Sequence, residues 1–529
     1  MKRFLALSII ILVLCCTFTS CKSNDLVNAL KSGNLERVKE AIDNGADVNK
    51  VSLLYGPSAS PLLYSMRNGQ RCIPEYLLSK GADPNFIDNK GISILMYTVG
   101  ASKESGLQYG NVTDNDNYIT LLNDKRTDIN LTGKLGYTAL DYACRDNGIL
   151  TIVNTLIKHG AKITSTTMKC AIEGYKNGNC EETVLKLVFD SLKQQKIPSG
   201  LEPDIEASIQ GDSSKLISFI KDGKVKQGNK QIDLILTCAF GNVETFKALA
   251  GENIDFNKKF YNKTYLGVAC SYGKLEMVEY LLSKGANLEW TTYEDYSALT
   301  AALEFNRIDI ADILIRHGAK LQIAESGTTG ARPDDLESAC INGNINTIKW
   351  IVKHGYPLTK EHLLEAMTKA AQDNHINVLQ YFINDLKADI NVEFYDSTVL
   401  SNCTGISSLK TIKFLIDNGA NINGGKNHVM TPLDSAVNSN RADIVKYLID
   451  KGADVNLIGH SDDGLKPSSL LTQAIQNGYF DIVKILVENG ADLHYKEGWS
   501  TGKDTPLEIA KKEKSQHIID YLRSVQRDK

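Results

Sequence analysis

The chain has 529 residues, a formal net charge of −4, and charged side chains of both signs making up 23% of it. That balance offers no basic face for a phosphate backbone, so a nucleic acid is excluded as the expected partner. Basic stretches such as Lys221 to Lys230 are interrupted by acids and read as solvated surface. The length would hold several globular domains, but a repeating pattern fills nearly all of it.

The first element is a leader. Met1-Lys2-Arg3 precedes an apolar run from Phe4 to Phe18, then Thr19-Ser20-Cys21, after which the chain turns polar at Lys22. A charged start, a short apolar core and small residues before a boundary define a secretory signal over residues 1–20. Cys21 directly after the small residues resembles the bacterial lipoprotein signal. The resemblance implies lipidation of Cys21 and attachment to a membrane of the bacterial cell envelope. Phe18 departs from that pattern, which prefers an aliphatic residue there. The alternatives are an uncleaved anchor and plain secretion.

From residue 23 onward a signature recurs: Gly45-Ala46-Asp47-Val48-Asn49, Gly81-Ala82-Asp83-Pro84-Asn85, Gly285-Ala286-Asn287, Gly419-Ala420-Asn421-Ile422-Asn423, Gly452-Ala453-Asp454-Val455-Asn456 and Gly490-Ala491-Asp492. The best-kept spacings are roughly 32 to 38 residues, which means a stacked array and not one closed core. A start motif ends about 16 residues before the end motif, as in Thr431-Pro432-Leu433-Asp434-Ser435-Ala436, and it returns at Thr505-Pro506-Leu507-Glu508-Ile509-Ala510. Ser60-Pro61-Leu62, Thr138-Ala139-Leu140, Thr264-Tyr265-Leu266, Ser297-Ala298-Leu299 and Ser469-Leu470-Leu471 are looser copies. Thr or Ser can cap a helix, and Pro is tolerated at its first position. A short helix, a turn and a second helix with apolar residues at helical spacing follow, as in Ile444, Val445, Leu448 and Ile449. Gly then ends the second helix.

These motifs resemble the ankyrin repeat, with its Thr-Pro-Leu-His start and Gly-Ala-Asp-x-Asn end. The resemblance covers nearly everything after residue 23. It implies an all-α solenoid, a curved stack of about 15 helix-turn-helix units with hairpin fingers between them. His is missing at the fourth position of every start motif, where Leu63, Asp141, Gly267, Thr300, Asp434, Thr472 and Glu508 stand. A loosening of local hydrogen bonding is expected there.

The array is irregular in three places. A polar insertion separates the helices of the third unit near 98–117. The pattern then fades, and Ile197 to Pro203, with two Pro and one Gly, reads as a linker or kink. Two arrays are therefore expected, 23–196 and 204–529. The last unit, 505–529, carries one polar face and reads as a cap.

Of eleven Cys, eight lie beyond the leader and Cys21. Cys238, Cys270 and Cys340 share one slot in the first helix, where a small buried residue is wanted, and Cys144 stands close to it. Equivalent slots in adjacent units are too far apart for a disulfide, so free thiols are expected. No Cys-x-x-Cys, His-Glu-x-x-His, Gly-x-Gly-x-x-Gly, Walker loop or Gly-x-Ser-x-Gly is present, and Ser407-Ser408-Leu409-Lys410 lacks the companion motifs of a Ser-x-x-Lys site. No catalytic residue, metal ligand or cofactor is expected. His159, His317 and His354 precede the Gly that ends a helix and read as caps.

Aromatic residues split into two groups. Tyr76, Tyr280, Trp350, Phe414 and Tyr447 share a second-helix slot, which implies packing. Phe260, Tyr261, Trp290, Tyr293, Tyr296, Tyr495 and Trp499 lie in the finger segments. By the resemblance, fingers project along the concave side, and Trp and Tyr suit partner contact there. The alternative is that they pack on neighbouring fingers. The expected function is a non-catalytic scaffold that holds a protein partner and is anchored to a bacterial membrane through Cys21. The rival readings are a secreted effector or neutralising protein acting on a host or rival-cell protein, and an enzyme with an unrecognised site.

Overall fold

The computed structural model describes residues 25–527 apart from 52–58, 69, 71, 101–116, 148, 178, 198, 226–228, 260–262, 290–296, 324–333, 396, 426–429, 458–468 and 496–503. Cys21, the insertion segment 101–116, and the finger residues Phe260, Tyr261, Trp290, Tyr293, Tyr296 and Trp499 lie outside the described residues.

The expected pairs of short helices recur along the chain: Pro61–Arg67 with Cys72–Ser79, Tyr265–Ser271 with Leu275–Ser283, Pro432–Asn438 with Ala442–Asp450, Leu470–Gln476 with Phe480–Glu488. The start motifs begin them for the reason read from sequence. Ser60, Ser93, Thr138, Thr264, Ser297, Thr431, Ser469 and Thr505 each accept the backbone N–H three residues on. Each such cap is worth about 1 kcal/mol. Pro61, Pro432 and Pro506 occupy the first helical turn.

The expected loosening at the missing His does not occur where an acid stands in its place. Asp141 Oδ2 accepts from both the N–H and the hydroxyl of Thr138, each at 2.9 Å. Asp434 does the same for Thr431, at 3.1 and 2.7 Å, and Glu508 for Thr505, at 2.7 and 3.0 Å. A carboxylate at this position closes a capping box, so these three helix starts are doubly bonded.

First helices pack on first helices, and second helices pack on their own first helix and on the next second helix. The core is the apolar stripe between them, exemplified by Leu433, Val445 and Leu448, which are fully buried or nearly so. Close approach is enforced at Gly174. A Cβ there would meet the backbone oxygens of Cys144 and Arg145 at 2.5 Å. The eight described Cys are all free, and seven are buried. Cys144, Cys238, Cys270 and Cys340 are completely enclosed, as the shared small-residue slot requires. Burial pushes the Cys170 and Cys403 thiols up to about 12, and the other enclosed thiols are raised too.

The contacts divide the chain into two compact units, Met1–Ala286 and Asn287–Lys529. The segment 197–203 lies within the first. Among the described residues, no helix is long and apolar enough to cross a membrane.

Candidate interaction surface

The end motif does two jobs. Its Asp bonds the N–H two residues on, as from Asp47 to Asn49 and from Asp83 to Asn85, both at 2.9 Å. That turn aims the Asn side chain at the next unit. The Asn49 amide donates to Gly81 O at 3.1 Å, while its oxygen accepts from Asp83 N at 2.8 Å. Asn85 grips Arg126 O and Asp128 N at 2.7 Å each, and Asn130 grips Gly160 O and Lys162 N at 3.1 and 2.8 Å. The second unit repeats this at Asn391, with Gly419 O at 2.9 Å and Asn421 N at 2.7 Å, and at Asn456, with Gly490 O at 3.0 Å and Asp492 N at 2.9 Å. The loops thus hang from a side-chain ladder.

The fingers between these loops and the next helix are held from below. In the finger around Ile87, the buried Asp88 accepts Lys90 N at 3.0 Å and Ile92 N at 2.9 Å. The Tyr97 hydroxyl and Arg67 also reach Asp88, and the Arg67 guanidinium lies 4.1 Å over the Tyr97 ring. The adjacent finger touches it directly, with Lys134 N donating to Gly91 O at 3.0 Å. Gly91 sits at φ +83, and a Cβ on Gly133 would meet Gly91 O at 2.4 Å. A third finger is a short hairpin, Glu393–Phe394 paired antiparallel with Ser397–Thr398.

The fingers at Ile87, Leu135 and Tyr395 each carry an exposed apolar side chain. Ten large apolar residues are exposed among the described residues, and six stand in fingers: Val51, Ile87, Leu135, Ile323, Tyr395 and Met430. Scattered single exposures need no explanation. Concentration in one structural position does. Leu135 is 62% exposed and Tyr395 83%. Tyr395 sits at the hairpin tip with φ +47, a left-handed backbone that a bulky residue rarely adopts, and packs edge-on against Phe394 at 4.4 Å.

Among the finger aromatics predicted from sequence, Tyr495 is described, and it is half-buried. The sequence reading missed Phe394 and Tyr395, although they lie between an end motif at Asn391 and a cap at Thr398 and could have been found by that placement. The second-helix slot behaves as expected for packing. Lys39, Lys247 and Lys413 reach over the rings of Tyr76, Tyr280 and Tyr447 in the following unit, at 6.0, 4.8 and 5.3 Å. Trp350 is buried, donates to Asp312 at 2.7 Å and stacks on His354 at 3.8 Å. His159 and His354 bond the carbonyls of Thr155 and Trp350, each at 2.8 Å, as caps do.

Buried acids form the other polar feature. Asp233 is fully enclosed and accepts from Ser208 at 2.7 Å. Loss of water, with Asp204 and Glu202 nearby, raises its carboxyl to about 7. In the second unit, burial raises Asp335 to about 6, where Thr300 and Gln322 N donate to it at 2.8 and 2.7 Å. Burial and then Asp334 and Glu365 raise Glu337 to about 8. These groups join neighbouring first helices. No set of three or more His, Cys, Asp or Glu among the described residues could hold a metal ion.

Comparison with known proteins identifies the repeats. The family model for ankyrin repeats in three copies matches residues 234–325 and 367–459, and the single ankyrin repeat model matches 135–168 and 468–497. The chain carries ankyrin repeats, and its fold is an all-α ankyrin-repeat solenoid. It is 25% identical over 294 residues to an ankyrin repeat and KH domain-containing protein of Caenorhabditis elegans, which covers 53% of this chain and 10% of that one. It is 35% identical over 118 residues to an ankyrin repeat and SAM domain-containing protein of Rattus norvegicus, covering 22% and 12%. A palmitoyltransferase of Lachancea kluyveri matches at 28% over 172 residues, 26% of this chain and 22% of that one. The chain thus spans about a tenth of the first two relatives. Ankyrin-repeat proteins act as protein-interaction scaffolds.

Proposed function

We propose that this chain is a non-catalytic scaffold that holds a protein partner along its finger tips and is tethered to a bacterial membrane by lipid on Cys21. The observation that carries the binding part is the exposure of Ile87 and Leu135 on two touching fingers held by the Asp88 hub, and of Tyr395 on a paired hairpin. Rigid, preorganised apolar tips lose little entropy on binding, which is what an interaction surface needs. Replacing Val51, Ile87 and Leu135 together by Ser tests it. Partner recovery should fall sharply while the melting temperature holds. Unchanged recovery would remove the finger reading.

The tether rests on the sequence Met1 to Cys21 alone. More than one acyl chain gives stable anchoring, since each buried CH₂ adds ~0.8 kcal/mol. The test is the intact mass of the membrane fraction from a bacterial host, beside a Cys21→Ala control. An acylated chain beginning at Cys21 supports the tether. An unmodified chain, or one cleaved elsewhere, moves the weight to a secreted effector acting on another cell's protein.

A further inference from the structure

In a solenoid each unit touches its sequence neighbours. The first unit departs from this at Glu182. Its carboxylate is 3% exposed. Oε1 accepts from the Tyr175 hydroxyl at 3.0 Å, and Oε2 accepts from Lys263 Nζ at 2.7 Å and from the Tyr272 hydroxyl at 3.4 Å. Lys263 directly precedes the Thr264 cap of helix Tyr265–Ser271, and Tyr272 ends that helix. Two helix pairs intervene in sequence, Pro203–Gln210 with Ser213–Lys221 and Lys230–Phe240 with Val243–Ala250. The chain has therefore turned back, so that the start of helix Glu182–Gln194 meets both ends of helix Tyr265–Ser271.

The redirection is visible in the packing. Helix Pro203–Gln210 contacts Glu182–Gln194 and packs on Lys230–Phe240, which packs on Tyr265–Ser271. Phe240 and Tyr272 meet edge-on at 5.3 Å beside the contact. Burial and the Glu182 charge push the hydroxyls of Tyr175 and Tyr272 far up, so both stay protonated as donors. A carboxylate with three donors and almost no water is a closed polar contact, in which every partner loses if one leaves.

We propose that residues 179–183 are a built-in occupant of the first-helix surface at 263–272, with Glu182 as the latch, so that this part of the first unit is closed to partners until the latch opens. The idea rests on the scaffold reading and extends its binding edge from the finger tips to the first-helix face beside them. The occupant is a segment of this chain, and its chemistry defines what would displace it: a partner segment presenting a carboxylate to Lys263 and the Tyr272 hydroxyl.

The test uses the whole chain and needs no partner. Backbone hydrogen exchange and acylation of the Lys263 amine are read by mass spectrometry in the wild type, in Glu182→Ala, in Lys263→Ala for exchange alone, and in the reversed pair Glu182→Lys with Lys263→Glu, also for exchange alone. Opening should raise exchange at 264–272 and at 179–183 by at least about tenfold in both single variants, since local opening is governed by its own free energy. Lys263 should acylate faster in Glu182→Ala, exchange at 432–450 should not change, and the reversed pair should return toward wild type. Unchanged exchange at 264–272 would overturn the latch. So would a rise spread equally over 139–158 that the reversed pair does not reduce, because that is loss of fold. A failed partner experiment with these results intact would condemn the scaffold reading and leave the closed contact standing.

Discussion

The stretches 49–162 and 391–492 are stitched differently from 164–240 and 322–372, although all are built of paired helices. The former hang on Asn side chains in exposed loops, each joining one unit to the next by a pair of bonds. In the latter the Asn position holds another residue. Thr164 and Thr359 cap the following helix instead, and Gln322 joins the buried Asp335 and Thr300. There the joins are buried and acidic: Asp204 with Asn229, Asp233 with Ser208, Asp335 with Thr300. A loop ladder is local and tolerant of pH. A buried carboxylate is expensive to ionise, which makes these joins conditional.

The contrast predicts a pH dependence confined to the buried joins. Asp233 titrates at about 7 in the folded chain and near 3.8 when unfolded. The folded state therefore holds the proton more tightly. Its contribution is fully present below pH 3.8 and is lost as pH rises toward 7, by on the order of 3–4 kcal/mol. Urea unfolding of the first unit between pH 4 and 8 should show that fall, and Asp233→Asn should flatten it, because the amide oxygen can still accept from Ser208. An unchanged slope would show that Asp233 is ionised throughout.

A ladder substitution should cost less and be insensitive to pH. Asn456→Ala removes two bonds in an exposed loop, so a loss of about 1 kcal/mol is expected, since water replaces part of what is removed. Denaturation at two pH values checks both the size and the flatness. Chemical reactivity sharpens the picture of the stack that both kinds of join hold together. In the native chain a thiol reagent should modify Cys72, which is partly exposed, and leave the seven buried Cys slow until denaturation. The smallest effect is expected at the fingertip. Tyr395→Gly relieves a left-handed backbone at an exposed site, so stability should hold or rise by up to about 1 kcal/mol, read by thermal unfolding. A clear loss would mean that Tyr395 packs into the fold.

What could be read from sequence follows the same division. The helix pairs of the ladder stretches were legible because their signals are periodic: a cap at Thr431, a Pro at Pro432 and the helix-ending Gly452 recur in register, whereas the link made by Asn456 was not read. The Cys slot at 238, 270 and 340 was legible for that reason too. The joins at Glu182, Asp233 and Asp335 were not, because their long-range partners stand 25, 35, 81 and 90 residues away with no common spacing. The missing His was misread at Asp141, Asp434 and Glu508, where the carboxylate bonds the capping Thr twice. Phe394 and Tyr395 stand in a finger position that the sequence shows, but the left-handed backbone that exposes Tyr395 leaves no mark in it.

The central claim is that the finger edge is where a partner sits. The most direct measurement places a photo-crosslinking amino acid at Leu135 or Tyr395, and for comparison at Lys446 on a second helix, in the full chain in bacterial cells. The account predicts a discrete protein adduct from Leu135 and Tyr395 and none from Lys446. Adducts of equal yield from all three positions, or from Lys446 alone, would contradict it.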